Sequence, residues 1–159
     1  MQDLHQALAK KDRKAVLAAL LRGANASSEW KLPDGSTESP LRTFTRAAEP
    51  SWTALLLEGG ACVDDTTACT AALLAEQVLR QRKNRPHTAP FFAARVLMLL
   101  RQLDKAGAPW RATSKSLGSG DCAADVIACA CPDFLPMLPG VQQATSDWVG
   151  SAGPAATSC

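Results

Sequence analysis

The chain has no tyrosine, only four phenylalanines and four tryptophans among its 159 residues, and two histidines. So few aromatics suit close helix-on-helix packing better than a sheet. Two histidines leave few bases to activate a nucleophile. Apolar runs such as Val96 to Leu100 fall far short of the roughly 20 residues needed to cross a bilayer. No charged segment followed by an apolar core marks a signal peptide near the start. Six cysteines (62, 69, 122, 129, 131 and 159) are present, but a disulfide scaffold belongs to shorter chains, so free thiols in a reducing cytoplasm are expected. The net charge is only +2, yet residues 80 to 115 hold nine Lys or Arg against one acid, Asp104, whereas residues 32 to 79 hold seven acids against Arg42 and Arg46. One soluble domain with a patch of each sign is the expectation.

What the chain does contain is a repeated phrase. Leu4-His5-Gln6-Ala7-Leu8 leads through Val16 and Leu20 to Gly23-Ala24-Asn25, and Pro40-Leu41-Arg42 leads through Leu56 and Leu57 to Gly60-Ala61-Cys62. Each copy takes 19 residues from its leading Leu to its Gly (23 − 4 and 60 − 41). A fixed internal period of this size predicts stacked helical hairpins, because one such unit cannot bury its apolar face alone. Asp3 and Ser39-Pro40 read as helix openers, with breaks near Lys11-Asp12 and Glu49-Pro50. Each Gly reads as a positive-φ exit from a second helix.

Gly107-Ala108 offers a third exit. Before it, Ala93 to Lys105 places Val96, Leu99, Leu100 and Leu103 at helical spacing. A first helix is predicted over Thr70 to Arg82, with Lys83 to Pro90 as an insertion. A fourth unit is predicted after Gly118-Ser119-Gly120, capped by Asp121, with Val126 and Ile127 on its apolar face and Pro132 breaking it before Phe134 and Leu138. From about Val141 the residues are small and polar. The segment 141–159 is therefore expected as a cap and loose tail, with Trp148 folding back over the end of the stack.

These phrases resemble the ankyrin repeat, whose motif is a Gly-containing turn, Thr-Pro-Leu-His at the first helix, and Leu-Leu-x-x-Gly-Ala at the end of the second. Leu4-His5 and Leu56-Leu57-Glu58-Gly59-Gly60-Ala61 match it. Asp34-Gly35-Ser36-Thr37 followed by Ser39-Pro40-Leu41 resembles its opening with Glu38 and Ser39 inserted, and Ala123-Ala124-Asp125-Val126 resembles a degenerate opener. Arg42 stands where His is usual, unit one lacks the Gly after its first helix, and the third unit is long. The resemblance covers about residues 3 to 138. It implies an all-α, ankyrin-like α-solenoid of stacked helix-turn-helix repeats with extended loops, in units of about 3–33, 34–66, 67–116 and 117–138 within a domain over 1–140. In that family the His bonds neighbouring loop backbone, so His5 is expected to be structural, together with Gly23, Gly60 and Gly107.

The residues themselves offer little chemistry. Cys122, Cys129 and Cys131 lie in an Ala-rich helix where small side chains suit packing, and no catalytic residue is assigned. Cys129-Ala130-Cys131 has the wrong spacing for zinc, Gly118-Ser119-Gly120 lacks the context of a phosphate loop, and no metal or cofactor is expected. Arg80, Arg82, Lys83 and Arg85 could meet phosphates, but cations at a helix C-terminus need no such ligand. Large aromatics beside cations, Trp30-Lys31 and Trp110-Arg111, sit just past two Gly-Ala exits and are of the type enriched at binding hot spots. Lys10, Arg46, Gln77 and Arg80 would project from first helices.

The expectation is a non-catalytic monomer that binds another protein through its concave face and inter-repeat loops, without a membrane. The composition resembles that of GC-rich bacterial genomes. A bacterial effector delivered to a host without a cleavable signal peptide, or an immunity or chaperone-type protein in the cytoplasm, would fit. The alternatives are a cysteine-dependent enzyme and nucleic-acid binding through residues 80–115.

Overall fold

A computed structural model describes residues 4–117 and 121–152, with side chains of the last helix described as far as residue 145. The chain is mostly helical, with one two-stranded sheet among the described residues. It divides into two compact units, Met1–Cys62 and Val63–Cys159. This division falls within the domain expected over 1–140. The second unit is built from longer helices that close a core of their own.

Unit 1 holds α1 (Leu4–Ala9) and α2 (Arg13–Leu21), a hairpin of β1 (Trp30–Lys31) with β2 (Thr37–Glu38), then α3 (Pro40–Arg46) and α4 (Pro50–Glu58). The two helix pairs are related by an offset of 37 residues (41 − 4 and 60 − 23). Leu4, Ala7, Leu8, Val16 and Ala19 are buried, and so are their counterparts Leu41, Phe44, Thr45, Thr53 and Leu56. Helices of six to nine residues are too short to hold alone in water, so burial of these matched faces stabilises them.

The reversals repeat as well. After α2, Gly23 takes φ 91° and donates to the Leu20 carbonyl at 3.0 Å, while Ala24 donates to Ala19 at 3.1 Å. After α4, Gly60 takes φ 91°, and Gly60 and Ala61 bond Leu57 and Leu56, each at 3.0 Å. This is the Schellman pattern, which satisfies the orphan carbonyls of the last turn. The first helices end the same way without glycine: Lys11 (φ 53°) and Ala48 (φ 54°) hold the left-handed position. Asp12 N–H to Ala7 and Glu49 N–H to Phe44, both 3.0 Å, close those turns. Lys11 therefore occupies a place that glycine takes most often at a helix end.

In unit 2, α5 (Asp65–Asn84) packs on α6 (Ala89–Lys105) and on α7 (Ala123–Ala130), and α8 (Pro139–Ala152) packs on α6 and α7. Short 3-10 turns cover Lys115–Leu117 and Pro132–Met137. α5 starts at Asp65 rather than Thr70, because the Asp64 carboxylate accepts from Thr67 N–H at 2.8 Å and caps an earlier turn. The insertion expected over Lys83–Pro90 shrinks to residues 85–88. Ala93, Val96, Leu99, Leu100 and Leu103 form the buried stripe of α6, and Gly107 closes it at φ 80°.

The cap of α7 is Cys122, not Asp121: the Asp125 carboxylate accepts from Cys122 N–H at 3.4 Å and from its thiol at 3.1 Å. The segment expected as a cap and loose tail is helical as far as Ala152, with Val141 and Ala144 buried. The expected cap at Asp3, the loop Gly118–Gly120, the side chain of Trp148 and residues 153–159 lie outside the described residues.

Candidate functional site

The finger between α2 and α3 is the most elaborated loop of unit 1. Its tip is a turn over Leu32–Gly35, with Pro33 supplying the fixed φ of the second position and Gly35 at φ 88°. Gly35 N–H donates to Leu32 at 2.9 Å and Leu32 N–H to Ser36 at 2.8 Å. The Asp34 carboxylate accepts from the Ser36 hydroxyl and from Ser36 N–H, and these bonds hold its carboxyl below the usual range. Strand register pairs Trp30 with Glu38 and Lys31 with Thr37.

At its base the finger is fastened by Glu38, which is 4% exposed. One carboxylate oxygen accepts from the Thr43 hydroxyl at 2.7 Å; the other accepts from Arg46, with Arg42 Nε 3.6 Å away. Thr43 Oγ1 in turn accepts from the indole N–H of Trp30 at 2.9 Å. A relay thus runs from Trp30 through Thr43 to a buried carboxylate neutralised by arginine. Such charge-assisted bonds are the strong ones in a partly dry setting. Trp30 also completes an aromatic row, with ring centroids 6.1 Å from both His5 and Phe44, and Phe44 stacks on Trp52 at 5.5 Å. His5 Nε2 lies 3.1 Å from the Ser28 carbonyl and 2.8 Å from its hydroxyl, and so holds the loop that enters β1.

In unit 1, therefore, Trp30 is half-buried and braced, Lys31 is exposed beside it, Lys10 is exposed just past α1, and Arg46 is half-exposed but engaged by Glu38. The expectation that Trp30 and Lys31 lie in an irregular loop gives way to a strand. Glu38 was not singled out by the sequence reading, although Arg42 and Arg46, four and eight residues on, were a signal for it.

In unit 2, Trp110 is 3% exposed and its indole N–H donates to Asp104 at 2.8 Å. Its own carbonyl accepts from Ala124 N–H at 2.8 Å. Burial removes Trp110 from any docking surface, a correction to its reading as a contact residue; Arg111 beside it is exposed. Asp104 also accepts from Gly140 N–H at 3.2 Å, so one carboxylate ties the Trp110 loop and the start of α8 to α6.

Gln77 and Arg80 are exposed on α5, and Arg80 lies 3.9 Å from Glu76. Glu76, Leu79, Asp121, Val126 and Cys129 border a cavity of about 250 Å³ there. Arg82 is committed elsewhere, with two bonds to Asp133 at 2.9 and 3.0 Å and its guanidinium 5.5 Å from the Phe134 ring centroid.

Burial raises the thiols of Cys69 and Cys122 and pushes Cys131 up to about 11. That is away from the thiolate a nucleophile or metal ligand needs. Cys62 is an exposed free thiol, and Cys69, Cys122 and Cys131 are free and buried. No cluster of three or more metal-ligating side chains occurs among the described residues, and no described helix is long and apolar enough to cross a membrane. No family model, curated protein or solved structure matches the chain.

Proposed function

We infer that the protein is a non-catalytic interaction module of ankyrin-like build that binds a partner protein, with the finger of unit 1 as a principal contact. The observation that carries this reading is the bracing of the finger. Two copies of one helix pair flank it, and the Trp30–Thr43–Glu38–Arg46 relay fixes a tip whose residues Pro33 to Thr37 are exposed. A loop ordered before docking loses little entropy when it binds, which is what a recognition element requires. The upward shift of three thiols counts against the cysteine-enzyme alternative. An effector role and an immunity or chaperone role both remain compatible with such a surface.

Affinity capture on the full chain, with the partner identified by mass spectrometry and its Kd measured by calorimetry, tests this. A Lys31→Glu/Leu32→Ser variant leaves Glu38 and Trp30 in place and should weaken that Kd by about tenfold or more. A partner held equally well by this variant overturns the finger as the contact.

A further inference from the structure

Helix α6 carries two apolar faces. One is the buried stripe from Ala93 to Leu103. On the opposite side, at about 100° per residue, Phe91 is 75% and Met98 55% exposed. Ala94, Leu97, Met98, Arg101, Gln102 and Lys105 line this side. Large exposed apolar side chains in a row, rimmed by charge, mark contact surfaces.

The charge on the rim has one sign. Arg101 and Lys105 are exposed on it. Asp104, the one acid between residues 80 and 115, has its oxygens engaged by Trp110 and Gly140.

We propose that this face of α6 docks an acidic amphipathic helix of a partner protein. Its apolar anchors lie along Phe91, Ala94 and Met98, and its Glu or Asp flank meets Arg101 and Lys105. The face spans 14 residue steps (105 − 91), about 21 Å or four helical turns. That length accommodates anchors at i, i+3, i+4 and i+7. A phosphate chain matches the cations but not the Phe–Met row, and a basic helix matches the row but not the charge. The surface belongs to unit 2 and does not rest on the finger.

The test uses the full chain and two labelled synthetic helical peptides of about 16 residues, roughly 24 Å. Both carry the same Leu anchors; one has Glu flanks and the other Lys flanks. Fluorescence anisotropy should show saturable binding of the Glu peptide alone. Phe91→Ser/Met98→Ser, at exposed positions, should weaken it by about tenfold or more with circular dichroism and thermal midpoint unchanged. Arg101→Glu/Lys105→Glu should reverse the preference toward the Lys peptide. Binding of neither peptide, or of both equally, overturns the proposal. So does displacement of the Glu peptide by anionic vesicles or a single-stranded oligonucleotide, or a dimer in sedimentation that disperses in the Phe91→Ser/Met98→Ser variant.

Discussion

Unit 1 and unit 2 solve one problem, holding a connecting segment against a helix, with different segments and the same chemistry. In unit 1 the segment is the finger, and Glu38 fastens it to α3. In unit 2 it is the loop through Trp110, and Asp104 fastens both that loop and the first turn of α8 to α6. Each carboxylate uses both oxygens. The difference lies in what is left when the tie is cut: the Arg46 guanidinium is half-exposed and can rehydrate, whereas the indole N–H of Trp110 belongs to a residue that is 3% exposed. Losing a tie whose released cation water can reach costs less than stranding a buried donor.

The comparison can be broken most directly at the cores. Leu56→Ala in unit 1 and Leu100→Ala in unit 2 both remove a side chain with 0% exposure. Each should lose about 2 to 5 kcal/mol in urea unfolding, and a loss below about 1 kcal/mol in either would show that its core is not close-packed. Next come the ties. Asp104→Ala should cost about 2 to 3 kcal/mol because it strands the Trp110 donor, and Glu38→Ala rather less, near 1.5 kcal/mol. The reverse order would refute the contrast drawn above.

A smaller effect separates the two copies within unit 1. Thr45, with 0% exposure and a hydroxyl lacking a hydrogen-bond partner, stands where the first copy has Leu8. Thr45→Val should therefore stabilise by about 1 kcal/mol; destabilisation would mean that the hydroxyl is satisfied. Smallest is Arg82→Ala, expected to cost about 1 kcal/mol or less for an exposed pair and its ring contact. Arg82 holds the Asp133 carboxyl below its ordinary 3.8. The pair's contribution is thus present above that pH and fades as pH falls through the lowered value. Wild type and variant should converge in thermal midpoint in acid; a constant gap would assign the effect to packing alone.

Much of the helical framework was legible because its signals are local. A Gly-Ala exit encodes its own two hydrogen bonds, and the spacing of Val96, Leu99, Leu100 and Leu103 needs no tertiary knowledge. The start of α5 was missed because Asp64 to Thr67 reads as a polar loop until Thr67 turns its N–H onto Asp64. α8 was missed because Pro139-Gly140 and small polar residues carry little helix signal of their own, and the Asp104 carboxylate fixes its first turn from another element. Trp110 illustrates the limit: a tryptophan beside arginine in a loop has the same sequence signature whether it faces a partner or its own Asp104. The outward row on α6 was hidden by the buried one, since a helix with two apolar sides reads simply as a hydrophobic helix.

The placement of Glu38 at the root of the finger has a practical corollary. The side chains that fasten the hairpin to the helices, Trp30 and Glu38, sit at its root, while Pro33 to Ser36 contribute no side chain to the core. The tip is therefore an exchangeable cartridge. A foreign sequence that keeps glycine at Gly35 could be seated there to redirect what the scaffold grips, without rewriting the helices that carry it.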